Sequence, residues 1–149
     1  MDKLVYIEGV ILTPEKIISN RRGDIYHAIK IYSKGYQGFG EVYFSFITKN
    51  SIKAWKKHIR MTLNLVVPVG KIKFVLFDDR IGSTTYGSTE ELSLGPDNYC
   101  RLTIPHGIWY GFQGLDSDIN LLCNVANMVH DDAECQSMEL SNHIIPYSW

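Results

Sequence analysis

The chain has 149 residues, 45% of them hydrophobic, enough for one domain spanning residues 1–149 around one core and too few for a second. Its 15 basic and 16 acidic residues leave a net charge of −1, so no broad field draws nucleic acid or an anionic membrane surface, and neither is expected as a partner. Cys100, Cys123 and Cys135 are widely spaced and form no CxxC pair, which argues for reduced thiols over a disulfide framework or a zinc knuckle.

In chain order, "MDKLVYIEGVILTP" lacks the basic stretch and long apolar run of a secretory leader, and the expected location is the cytoplasm. "LVYIEGVIL" predicts one or two strands broken near Gly9, and "DIYHAIKIY" predicts a strand from its alternation. "KGYQGFGEVY" has three glycines but leads into a strand, which excludes a dinucleotide-binding loop. "FGEVYFSFIT" has the composition of a central strand. "SIKAWKKHIRM", "LNLVVPV", "KIKFVLF", "TEELSLG", "YCRLTIP", "IWYGFQGL" and "INLLCNVAN" follow as further strands. Asn64 and Pro68 interrupt "LNLVVPVG", and no apolar run approaches the roughly 18 residues of a membrane span. A helical turn or two is expected over Asp131–Met138, with a weaker helix signal after "LTPEK". So many short, evenly spaced strands predict an all-β antiparallel sandwich or barrel, with the cupin-type jelly roll the form that encloses a ligand cavity between its sheets.

In such a barrel, polar residues within apolar strands are the candidates for a site. The period-two spacing of His58, Arg60, Thr62 and Asn64 puts them on one face. That face is either solvated or turned to a ligand. His58 is the most useful of the four, because a neutral imidazole can take a proton near neutral pH and return it. No second His or Glu follows it at metal-binding spacing, and no metal or other cofactor is expected. There is no GxSxG motif. Trp55, Trp109 and Trp149 offer stacking surfaces for a base or sugar.

Three segments, in order, resemble one family, the deoxythymidine-diphosphate 4-keto-6-deoxyglucose 3,5-epimerases of rhamnose synthesis. They are "DDRIGSTTYG" from Asp78, "IPHGIWYGFQGL" from Ile104, and the closing "SNHIIPYSW". "RRGDIY" partly matches a fourth motif that helps bind the nucleotide diphosphate, which implies Arg22 as a binding residue. The resemblance implies a metal-independent cupin, usually a homodimer whose subunits exchange strands, acting on a nucleotide-diphosphate sugar. It implies His58 as the catalytic base. The family's orienting Asp falls on Asn142, its Tyr acid on Leu121, and its second histidine on Tyr110, while the loop holding its Lys is shortened.

Proton exchange beside a ketone needs a base, a donor for the developing enolate oxygen, and an acid on the opposite face. The expected assignment is His58 as base, held by Asn142, with Arg60 or Asn64 polarising the ketone and Tyr110 as acid; Arg22, Thr62 and Trp109 complete the binding set. Loss of the family's acid favours epimerisation at one carbon over two. The competing expectation is a binding module that keeps the cavity without the chemistry and assists a pathway partner. "DDRIGSTTYG" itself reads as structural, with Asp78 and Arg80 pairing across a turn that Gly82 and Ser83 allow.

Overall fold

The computed structural model describes residues 5–149. Two five-stranded antiparallel sheets dominate it. In sheet one, β1 (Ile11–Pro14), β9 (Cys100–Ile104), β6 (Leu63–Val69), β11 (Asn120–Ala126) and β4 (Glu41–Ile47) lie side by side in that order. In sheet two the order is β12 (Cys135–Ser137), β5 (Ile52–His58), β10 (Ile108–Gly114), β7 (Ile72–Asp78) and β8 (Thr89–Leu94). A small hairpin pairs β2 (Ile17–Ile18) with β3 (Ile25–Tyr26).

The core lies between the sheets, where Leu63, Leu65 and Val67 of β6 meet Ile72, Phe74 and Leu76 of β7. Period two sends the alternate residues outward, yet these are buried too. Val75 and Phe77 pack with Trp55, Trp109 and Ile145 beneath the C-terminal tail. On the other outer side, Val66 and Cys123 pack with Tyr99 beneath Ile17, Tyr26 and Ala28. Coverage on both faces explains why "LNLVVPV" and "KFVLF" read as nearly unbroken apolar runs. Each full burial of a large apolar side chain is worth about 1.5–3 kcal/mol, so this three-deep layering accounts for much of the stabilisation.

Several expectations need correction. Residues 131–138 form a single 3₁₀ turn at Asp132–Glu134 followed by strand β12, because the backbone of Cys135–Ser137 completes the hydrogen bonding of β5. No helix follows "LTPEK"; the chain goes directly into β2. "DIYHAIKIY" contributes only Ile25–Tyr26, since one short partner strand is all it has. "FGEVYFSFIT" lies at a sheet edge, paired with β11 alone, and leaves Val42, Phe44 and Phe46 exposed on its outward side. The expected opening strand begins outside the described residues; from Val5 onward the chain turns at Gly9 before β1.

The segment Asp78–Gly87 closes the hairpin between β7 and β8 around a fully buried carboxylate. Asp78 accepts from the Arg80 backbone N–H and guanidinium, and from the hydroxyls of Ser83 and Thr85, both at 2.6 Å. Burial alone would raise this carboxyl, but those donors hold it far below the usual carboxylate range. Arg80 in turn lies against Gly107, whose φ of 88° favours glycine and where a Cβ would meet Arg80 Cδ tightly, at 3.2 Å. The Gly107 N–H donates to the His58 carbonyl at 2.7 Å, so this loop braces the end of β5.

Candidate active site

His58 ends β5 at the point where the chain leaves sheet two. Its register partner across the sheet is Cys135, which sets the preceding Glu134 beside the imidazole. The Glu134 carboxylate hydrogen-bonds His58 Nδ1 and, through its other oxygen, accepts from the backbone N–H groups of Arg60 and Met61 at 3.2 Å. One side chain thus ties the β5–β6 turn and holds the ring. Burial alone would raise the Glu134 carboxyl, but the His58 and backbone hydrogen bonds bring it below its ordinary value, so it stays ionised. With Nδ1–H given to a carboxylate, the Nε2 lone pair is left to accept a proton.

His58 Nε2 lies 3.1 Å from the Tyr110 hydroxyl, and the two rings stack at 5.8 Å with a 19° tilt. Burial pushes the Tyr110 phenol far above its ordinary value, so it keeps its proton unless that proton passes to a neighbour. Tyr110 is the member of this chain that lines the cavity between the sheets. The cavity has a volume of about 340 Å³. Its apolar lining includes Leu63, Leu65, Phe112 and Leu122. Its polar lining is Tyr110, Lys53 and Lys56 from sheet two, facing Tyr43, Ser45 and Asn124 from sheet one. The volume lies at the low end of ligand pockets, of order 300–1,000 Å³, and suits one sugar ring better than a whole nucleotide sugar.

Of the residues expected in the site, only His58 and Tyr110 come together. Asn142 does not reach His58: its Oδ1 accepts from the Ile144 and Ile145 N–H groups at 2.9 and 2.7 Å, shaping the tail that covers Trp55. Glu134 holds the histidine in its place. The one-face expectation for His58, Arg60, Thr62 and Asn64 fails because β5 stops at His58, the chain turns, and β6 begins in the other sheet. Arg60 is 65% exposed at the side chain, 3.7 Å from Asp131. The Thr62 N–H donates to Asn127. Asn64 faces away from the cavity, accepting from Arg101 and Thr103 and donating to the Gly35 carbonyl. Trp109 packs on the outer face of sheet two, its Nε1–H donated to Asp79 at 2.9 Å and Lys57 4.9 Å from its ring. Arg22 is exposed in the β2–β3 hairpin and does not line the cavity. On β11, Leu122 and Asn124 line the cavity, whereas Leu121 is on the opposite side of the strand.

Sequence reasoning gave no role to Glu134, Lys56, Tyr43 or Asn124. Lys56 and Tyr43 did carry a signal, the period-two alternation of "IKAWKKH" and "EVYFSFI"; Glu134 carried none, being 76 residues from its partner.

The family model for dTDP-4-dehydrorhamnose 3,5-epimerase matches residues 5–149. The chain belongs to this family. A crystallised dTDP sugar isomerase from Desulfovibrio desulfuricans is 36% identical to it and superposes with a TM-score of 0.95, covering 99% of this chain and 94% of that one. The fold is accordingly the family's cupin-type sandwich. A "probable low-salt glycan biosynthesis epimerase" of Haloferax volcanii is 29% identical over 90 residues, a match spanning 60% of this chain and 58% of that protein. A "spore coat polysaccharide biosynthesis protein" of Bacillus subtilis is 29% identical over 109 residues, spanning 73% of this chain and 72% of that protein.

Proposed function

We propose that this protein epimerises one carbon beside the ketone of a dTDP-linked 4-keto-6-deoxy sugar, a step in making sugars for cell-surface polysaccharide. The observation that carries the reading is the Glu134–His58–Tyr110 chain of hydrogen bonds ending at a sugar-sized cavity. Membership of the epimerase family supports the substrate class, and the names of the Haloferax and Bacillus relatives support the polysaccharide role.

The geometry supports the following chemistry. The sugar ring enters the cavity with its nucleotide outside. Tyr110, nearest the ring, takes the proton beside the ketone while its own proton moves to His58 Nε2, so that no free phenolate forms in a setting that disfavours one. The ionised Glu134 faces the resulting imidazolium. Lys56, on the same wall, supplies the positive charge for the enolate oxygen, a role that neither exposed Arg60 nor outward-facing Asn64 can fill. One preorganised donor of this kind is worth about 2.7–4 kcal/mol of barrier.

In this reading the protein acts in the cytoplasm as a homodimer, each subunit a single domain. The exposed Val42, Phe44 and Phe46 on edge strand β4 support pairing with a second copy.

The test is incubation with dTDP-4-keto-6-deoxyglucose in deuterated water, followed by proton NMR. Deuterium should enter a position beside the ketone with wild-type protein and not with His58→Asn. Binding of the nucleotide sugar without any deuterium entry would favour the non-catalytic binding module instead.

A further inference from the structure

Tyr110 and His58 both belong to sheet two, and Tyr110's hydroxyl is already engaged with the base it serves. A proton returned from that wall restores the original configuration. Inversion needs a second donor from the other side of the ring, which is sheet one. The cavity-lining residues of sheet one are Tyr43, Ser45, Leu63, Leu65, Leu122 and Asn124. Among them only Tyr43 has a proton acidic enough to give up: an amide does not release one, and the Ser45 alcohol, whose oxygen accepts from Lys53 at 2.9 Å, is a far weaker acid than a phenol.

Tyr43 is also held in place. It sits opposite Asn124 in the β4–β11 register, and Asn124 Nδ2 donates to its hydroxyl oxygen at 2.8 Å. That bond leaves the phenol's own hydrogen to point elsewhere; burial raises the Tyr43 phenol above its ordinary value, so it rests protonated, and the Asn124 bond opposes that rise as the proton departs. Asn124 itself is 2% exposed, and its Oδ1 is buried without a hydrogen-bond partner in the protein. A buried carbonyl oxygen with no donor is costly unless a ligand hydroxyl donates to it. The Tyr43–Asn124 pair therefore has both a proton donor and a sugar-hydroxyl acceptor on the wall facing Tyr110.

We infer that Tyr43 is the catalytic acid that completes inversion, with Asn124 as the group that positions both Tyr43 and the sugar. This rests on the epimerase reading above. The enolate formed when the proton leaves through Tyr110 to His58 takes the Tyr43 proton on its opposite face; the new C–H bond forms as the Tyr43 O–H bond breaks. The enzyme is left with an imidazolium at His58 and a phenolate at Tyr43. Both return to rest by exchange with water, which reaches Tyr43 directly because that residue is 42% exposed.

The experiment compares wild type and Tyr43→Phe in deuterated water, following both deuterium entry and formation of the inverted sugar. Phenylalanine keeps the ring on an exposed edge strand, and equal melting temperatures will establish that the variant folds. The expected result is a split: inversion falls by about 100-fold or more, the usual worth of a positioned acid, while deuterium still enters with retained configuration within threefold of the wild-type rate. Inversion by Tyr43→Phe at near the wild-type rate overturns the assignment and leaves the epimerase reading standing. Loss of deuterium entry together with inversion also overturns it, since Tyr43 would then be serving binding. Wild-type protein that exchanges no deuterium overturns both the assignment and the reading beneath it.

Discussion

Two buried carboxylates, Asp78 and Glu134, both ionised and both fixed by several donors, do different things. Asp78 is saturated within its own hairpin: Arg80, Ser83 and Thr85 fill its oxygens, and no path leads from it to the cavity. Glu134 uses one oxygen to tie the β5–β6 turn and the other to hold His58, which continues through Tyr110 to the cavity wall. The difference lies in where the chain of hydrogen bonds ends. A buried acid closed on a guanidinium and hydroxyls is scaffold, while one whose chain ends in exchangeable protons beside a cavity can do chemistry.

Substitution at each acid sharpens that contrast. Asp78→Asn should give the larger effect, costing about 3–5 kcal/mol of stability by leaving Arg80 without its counter-charge, while activity per folded molecule at low temperature stays within twofold; chemical denaturation and a rate assay would read the two. Its pH dependence has a definite sign. Asp78 is held below its ordinary value in the folded state, so the unfolded chain binds more protons in the acid range. The stability it contributes is complete above the ordinary carboxylate value near 4 and declines as pH falls toward the folded value. The fall in melting temperature between pH 6 and about 3 should therefore be shallower in Asp78→Asn than in wild type. A variant that loses activity in proportion to nothing but stability at both acids would erase the distinction.

Glu134→Gln should show the reverse pattern at a smaller scale. Activity falls by about 10–100-fold because an amide cannot offset the imidazolium charge, with the loss in kcat and little change in KM. The smallest effect belongs to Arg60→Ala, whose exposed pair with Asp131 should be worth less than about 1 kcal/mol, with deuterium exchange within twofold of wild type.

The sandwich was legible because its strands are short, alternating and bounded by turn residues, and because double-sided coverage leaves β6 and β7 as unbroken apolar runs. His58 and Tyr110 were legible as candidates too, the first from its imidazole within an apolar strand and the family resemblance, the second from its place in "IPHGIWYGFQGL". The site's other half was not. Glu134 lies in a segment whose local preference reads as helix; it ends a 3₁₀ turn and meets His58 only because the strand that follows it pairs with β5. Asn142 suggested itself by its place in the tail, yet its amide is spent on a turn. Arg60, Thr62 and Asn64 share a spacing with His58 but not a strand, because a four-residue turn carries the chain from one sheet to the other. Local pattern shows which face a side chain takes within a strand; where one strand stops is decided by partners distant in sequence.

The central claim is that the substrate proton reaches His58 through Tyr110. Its most direct test is the rate of deuterium entry catalysed by Tyr110→Phe. Loss of the hydroxyl should lower that rate by about 100-fold or more, into the range of His58→Asn, because a phenyl ring then separates the imidazole from the sugar. Exchange at the wild-type rate in Tyr110→Phe would contradict the relay.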